Sequence, residues 1–295
     1  MKDLAQTNSI AVKSVECFRT MLESQFKDLN RLLLAANSKI SRKDAHSLRV
    51  LSRHLRATFA ILEYLQGEEW AETFMNRLRQ LTRALGGVRS CDVSEKMLAD
   101  KLVALPEERG LLLQDSLSML EKRRIKARRE FMKDLKYYEV LKLAKVKKHE
   151  EILEEINLDN LDQAIERKEQ KSSMRVLKSW HRFRQKTSLA RLHALRIDLK
   201  KWRYLLEIKE KCLGLDLKET LSKIRFLQNH LGNIHDIEVL WDHLSQPDLK
   251  AVKRKTRSAW KELLSQLESE MDKKVAAFYN DGEQYLVQLL PLRSI

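Results

Sequence analysis

The chain has 295 residues, 43% apolar and 34% charged, with 57 Lys and Arg against 42 Asp and Glu and a formal net charge of +15. Three prolines and seven glycines are too few breakers for a β-rich fold, and no apolar run reaches membrane-spanning length, so long helices with short connections are expected. The positive balance calls for an acidic partner: nucleic acid, an anionic membrane surface or another phosphate polymer.

In chain order, Val12, Val15, Phe18, Leu22, Phe26, Leu29 and Leu33 recur at three- and four-residue steps, which predicts an amphipathic helix from about Ser9 to Ala36. Asn37 to Ser41 breaks it. Ser41 or Asp44 can cap a second helix that runs to about Gln66, and Gly67 ends it. A third is expected from Glu68 to Leu105, with Gly86-Gly87 as a place to kink. Pro106 suits the first turn of a fourth, reaching about Tyr138. The charged stretch from Glu139 to Leu158 reads as a connector with short helical turns. Further helices are expected over Asp159 to Lys186, Leu189 to Cys212 with a stop at Gly214, Lys218 to Ser245, and from Pro247 to Tyr279 with Gly282 as the end signal.

The second helix carries His46, Arg49, Arg53 and Arg56; the helix after Leu189 carries His193, Arg196, Lys200 and Arg203. Both sets use steps of 0, 3, 7 and 10, which fall within an arc of about 80° and make a ridge roughly 15 Å long. Like charges at such spacing repel, so helix stability does not favour the pattern, and a polyanion would neutralise it. A second pair of motifs repeats at nearly the same offset: Leu85-Gly86-Gly-Val-Arg89-Ser90-Cys-Asp92-Val93 and Leu231-Gly232-Asn-Ile-His235-Asp236-Ile-Glu238-Val239. Two ordered motif pairs at one offset indicate internal duplication, with residues 1–148 and 149–295 as the two halves. About four helices per half suggests two four-helix bundles.

These motifs resemble the CHAD family, an α-helical domain named for its histidines. Its helix reads His-x-x-Arg-Val/Ile-x-x-Arg/Lys-x-x-Arg and is followed some thirty residues later by Leu-Gly-x-x-Arg/Asn-Asp. The run Lys200-Lys-Trp-Arg203-Tyr204-Leu-Leu-Glu207 is similar to a third family pattern, and the likeness spans about Ser9 to Asp281. The resemblance implies an all-α fold of two pseudo-twofold-related four-helix bundles whose basic surfaces meet and bind inorganic polyphosphate. It also implies a binding and targeting module rather than a catalyst, here a stand-alone and cytoplasmic member of a family in which some proteins associate with storage granules. Ser90 stands where the family pattern has Asp, with Asp92 later, and His235 precedes Asp236; these positions are expected to cap or cross-link helices.

Polyphosphate presents only oxygens, so its recognition needs positive charge and hydrogen-bond donors. Arg supplies a planar fork that is always charged, and Lys a point charge. The expected polyphosphate-binding residues are His46, Arg49, Arg53, Arg56, His193, Arg196, Lys200 and Arg203. Arg124 and Arg128, from the basic run Lys122 to Arg129, are candidates to extend the first ridge. A solvated cationic face is the competing reading of every such cluster, including Arg182, Arg184 and Lys186, and Lys253 to Arg257. His46 and His193 read equally as ligand contacts or structural groups. His230, His235 and Asp236 read as surface and capping residues. The five tryptophans read as core, which weakens the alternative of single-strand nucleic-acid binding through stacked aromatics. Binding through nucleic-acid phosphates remains an alternative.

No Gly-rich phosphate loop, nucleophile elbow or Glu-x-Glu-x-Lys metal motif is present, and no paired carboxylates accompany the ridges, so neither an enzyme nor a cofactor or metal site is expected. Cys17, Cys91 and Cys212, odd in number and without a Cys-x-x-Cys pair, indicate neither a disulfide framework nor a zinc knuckle and read as reduced thiols. The N-terminus shows no apolar signal core.

Overall fold

The computed structural model describes residues 2–38, 40–103, 107–138, 158–245 and 257–290. These form eight helices and, among the described residues, no strand: α1 (Lys2–Ser38), α2 (Arg42–Gln66), α3 (Glu68–Val103), α4 (Glu107–Tyr138), α5 (Leu161–Gln185), α6 (Leu189–Leu213), α7 (Lys218–Ser245) and α8 (Arg257–Leu289). The protein is all-α, as its composition requires.

Local chemistry sets several boundaries. Ser41 caps α2 by accepting from the Asp44 amide at 3.0 Å, and Gly67 closes it at φ 94°. Between α5 and α6, Ser188 accepts from the Arg191 amide at 3.3 Å while the Arg191 guanidinium donates to the Arg182 carbonyl. Ser188 thus caps the start of α6 locally, and a side chain of α6 closes the end of α5. Gly214 adopts the left-handed conformation at φ 67° and stops α6.

The last helix departs from expectation. Among the described residues α8 spans Arg257–Leu289, passing through Gly282, where an end was expected. Gly282 is buried inside it, where an added Cβ would stand 3.3 Å from the Phe278 ring. Its small size serves packing rather than termination. α3 likewise continues through Gly86-Gly87, where Gly87 lies against Ala127 of α4. Pro106 and the connector expected over residues 139–157 lie outside the described residues.

The chain divides into two compact units, residues 1–85 with 132–225, and residues 86–131 with 226–295. Each unit takes helices from both sequence halves, so the units are not drawn along the 1–148 and 149–295 division. In the first unit α1, α2, α5 and α6 form a four-helix arrangement in which each touches the other three. Its core is built from Phe18, Leu22, Phe26, Leu29 and Leu33 of α1, all at most 1% exposed, with Leu48, Leu55 and Leu62 of α2. Val12 of the expected apolar stripe is exposed instead. Phe59 of α2 stacks on Phe74 of α3 at 4.2 Å, and Phe26 meets both edge-on.

Polar ties fix the register. Thr58 donates to Gln25 at 3.0 Å, Ser14 to Asp162 at 2.7 Å, and Ser179 to Asp198 at 2.6 Å. The Trp202 indole donates to Glu169 at 2.6 Å. Lys209 pairs with Glu166 and Glu169 at 2.7 and 3.3 Å. Trp180, Trp202 and Trp260 are buried, as core residues.

In the second unit Leu98, Leu120, Phe131, Leu231, Ile237, Leu240 and Leu267 are buried. There His243 shares a 3.0 Å hydrogen bond with buried Ser94, and the Trp260 indole donates to the Leu244 carbonyl at 3.0 Å.

Candidate functional site

α2 and α6 are neighbours in the first unit, so both basic ridges belong to one bundle. The apolar residues between ridge positions set this. Leu48 and Leu55 on α2, and Leu195, Leu199 and Trp202 on α6, face the core. The cations one step round each helix then fall at the bundle's margin. Arg49, Arg53, Arg56, His193, Lys200 and Arg203 are half-buried, His46 is exposed, and Arg196 is only 9% exposed.

The helices meet at His54 of α2. Its ring lies 4.4 Å from that of Tyr204, and its Nε2 stands 3.8 Å from Glu207. Glu207 also pairs with Arg203 at 3.5 Å and with Arg225 at 3.4 Å. Arg203 in turn sits 4.8 Å over the Tyr204 ring. One carboxylate thus serves two guanidiniums and an imidazole at the end of the second ridge. Burial holds the His54 pKa below its ordinary value; the Glu207 charge opposes this and Arg203 reinforces it.

The end of the first ridge is arranged differently. Ser52 of α2 pairs with Thr82 of α3 at 2.8 Å, which fixes these helices side by side. That register brings Arg79 and Arg83 of α3 into the field of Arg56. The Arg56 guanidinium is held below its ordinary pKa, first by burial and then by the charges of Arg79, Arg53 and Arg83. Its Nε is buried and meets no hydrogen-bond acceptor among the described residues. Four guanidiniums converge here, with no carboxylate among the charges that act on Arg56. Arg79 also donates to Asn76 at 2.6 Å.

The sequence reading missed Arg79 and Arg83. Their four-residue spacing was available as a signal, but only the Ser52–Thr82 register ties that face of α3 to the ridge.

Arg124 and Arg128 lie in the second unit. Arg124 donates to Asp92 at 2.7 Å and pairs with Glu121 at 3.3 Å; the Asp92 side chain is 2% exposed. Burial works against the Arg124 charge, yet Asp92, Glu121 and Glu95 together raise its pKa. Arg124 thus serves as the counter-ion of a buried carboxylate. Asp92, from the second motif, cross-links α3 to α4. His235 pairs with Glu238 at 3.3 Å, and His230 packs 4.4 Å from the Phe226 ring.

The second motif's two copies also meet within this unit. Arg89 and Asp92 of α3, with Asn233 and Asp236 of α7, line a cleft of about 530 Å³. Its four acidic residues are matched by four basic ones, so it favours neither sign of ligand. Of the remaining basic clusters, Arg184 lies 5.6 Å over the Trp180 ring, and Lys253 to Lys255 lie outside the described residues.

A CHAD domain family model matches residues 20–245. Among solved structures, the CHAD domain from the plant Ricinus communis is similar with a TM-score of 0.61 and 20% identity, over 90% of this chain and 91% of that one. PptA from Streptomyces chartreusis is similar with a TM-score of 0.62 and 15% identity, over 93% of this chain and 99% of that one. No curated protein sequence matches. No helix among the described residues is long and apolar enough to cross a membrane. The duplicated histidine–arginine helices, the all-α fold and a family match over most of the length together make this chain a member of the CHAD domain family.

Proposed function

We propose that the protein binds inorganic polyphosphate, without turnover, along the α2 and α6 ridges of the first unit. The observation that carries this is the Arg56 cluster: a half-buried guanidinium lies in the field of Arg79, Arg53 and Arg83, and among the described residues the charges acting on it are all guanidiniums. Desolvating like charges together is unfavourable unless an anion joins them. A chain of phosphates fits better than one phosphate, because the cations are spread over two helices, each about 37 Å long by the usual rise per residue. The forked geometry of arginine suits phosphate oxygens. Trp202, the tryptophan beside the second ridge, is buried, which favours a ligand without bases. The carboxylates nearest the ridges serve ion pairs and helix ties, so the expected role is retention rather than hydrolysis.

Titration with polyphosphates of increasing length tests this at one fixed salt concentration, with duplex DNA and RNA as competitors. Affinity is expected to climb with phosphate number until the chain spans the ridges and then level off. Orthophosphate should compete poorly, and no orthophosphate should be released with magnesium or manganese present. Flat length dependence, or DNA winning at matched phosphate concentration, would favour nucleic acid. Metal-dependent phosphate release lost on Asp236→Asn would point to a phosphohydrolase.

A further inference from the structure

Cys17 and Cys212 are far apart in the chain but adjacent in the first unit. Cys17 lies on α1 and Cys212 in the last turn of α6, and these helices pack against each other. The Cys17 thiol donates to the Lys211 carbonyl at 3.4 Å, which seats its sulfur one residue from Cys212. The two thiols are also within hydrogen-bonding reach of each other. Their surroundings differ. Cys17 is half-buried, whereas Cys212 is buried.

We propose that Cys17 and Cys212 form an oxidisable thiol pair, a modification site for peroxides, that closes a disulfide between α1 and α6. Cys17, the less buried partner, attacks the peroxide oxygen as its thiolate. The O–O bond breaks, and Cys17 becomes a sulfenic acid as the peroxide is reduced to water or an alcohol. The Cys212 sulfur then displaces the sulfenic hydroxyl: an S–S bond forms, the S–O bond breaks, and the Cys212 proton leaves with the hydroxyl as water. Overall two thiols lose two electrons and two protons, and the peroxide accepts both. Burial first, then the Cys17 charge and hydrogen bond, push the Cys212 thiol up to about 12, with Asp162 adding to the effect and Lys211 opposing it. Cys212 therefore stays protonated in the reduced protein, which leaves the first attack to Cys17; Cys212 gives up its proton as it attacks the sulfenic sulfur held beside it.

The bond would tie α6, which carries the second ridge, to α1. A crosslink closing so long a loop restricts the unfolded chain and raises thermal stability. This inference is independent of which anion the ridges hold.

The test treats the reduced full-length protein with hydrogen peroxide, alkylates the remaining thiols, digests it and maps the peptides by mass spectrometry. The expected product is a monomer with a Cys17–Cys212 linked peptide, a higher melting temperature than the reduced form, and full reversal by dithiothreitol. Cys91→Ser should leave the linked peptide unchanged, and Cys17→Ser should abolish it. Should Cys212→Ala fold, Cys17 in that variant should accumulate as a sulfenic acid that a cyclic 1,3-dione traps. Oxidation that stops at Cys17 in the unsubstituted protein, links separate molecules only, or leaves both thiols alkylatable overturns the proposal.

Discussion

The two ridges carry the same residue types at the same steps, yet they balance charge in opposite ways. On α6, Arg203 ends its ridge beside Glu207, which also serves Arg225 and His54. On α2, Arg56 ends its ridge among Arg53, Arg79 and Arg83. The two helices share one pattern of cations, but neighbouring helices set what each cation meets. The second ridge is partly neutralised from within the protein. At the Arg56 end of the first, the charges acting among the described residues are all guanidiniums, whose repulsion an external anion can relieve, so the two ends should respond differently to the same substitutions.

The largest contrast should come from charge reversal. Arg53→Glu with Arg56→Glu should weaken polyphosphate binding by about 100-fold or more, since two charge-assisted hydrogen bonds contribute roughly 1.5–3 kcal/mol each. Its melting temperature in low salt should not fall, because repulsion among four guanidiniums is relieved. Lys200→Glu with Arg203→Glu should weaken binding similarly but lower the melting temperature, since a new carboxylate then faces Glu207. Calorimetric titration and thermal melts on both double variants check this. Equal losses of stability would show that the ends are balanced alike.

Glu207→Gln addresses the same contrast from the other side. Removing the carboxylate leaves Arg203 and Arg225 to meet an anion, so affinity should rise about three- to tenfold. The stability loss should stay within roughly 1 kcal/mol, as expected for ion pairs that are partly open to water. An unchanged affinity would mean that Arg203 does not contact the ligand.

Much of this was legible in the sequence, and what was not has a physical cause. The ridges, their duplication and most helix boundaries follow from periodicity and capping residues such as Ser41 and Gly214. The apolar stripe from Phe18 to Leu33 identifies the core face of α1. Gly282 misled, because a glycine that admits a neighbouring ring and one that ends a helix look identical in sequence. Arg79 and Arg83 joined the site only through the Ser52–Thr82 contact, a tertiary register that no local pattern encodes. Arg124 read as a ligand group until buried Asp92 supplied its partner. The placement of both ridges in one unit depends on which helices pair, and a repeat alone does not specify that.

A smaller effect should appear in the salt dependence of binding. Neutralising a phosphate releases condensed counter-ions, so each lost contact should flatten the slope of log affinity against log salt by about one or slightly less. Arg79→Gln and Arg83→Gln should each flatten it, with little change in melting temperature. Arg124→Gln should leave the slope unchanged while destabilising the protein by about 3 kcal/mol or more, because Asp92 would be left buried without its counter-ion. An unaltered slope in both α3 variants would remove that helix from the site.

The smallest expected effect is on pH, and it concerns the point where the ridges meet. His54 is buried, and its pKa lies below the ordinary 6.5, chiefly through desolvation, with Glu207 opposing and Arg203 reinforcing. The unfolded chain therefore binds the proton more readily than the folded one. The stability contributed by neutral His54 is complete above pH 6.5 and is lost as pH falls through the folded value. His243 in the second unit adds a term of the same sign, from burial and then the Arg123 charge. Denaturant unfolding between pH 8 and 5 should thus show declining stability, which His54→Gln flattens in part and His243→Gln flattens separately. Glu207→Gln should steepen the decline, because it removes the charge that lifts the His54 pKa. A polyanion on the ridges acts as Glu207 does, raising that pKa and drawing a proton onto His54 as it binds. Polyphosphate affinity should accordingly rise modestly as pH falls below 6.5, and less so in His54→Gln; a pH-independent affinity in the unsubstituted protein would place the bound anion away from the α2–α6 contact.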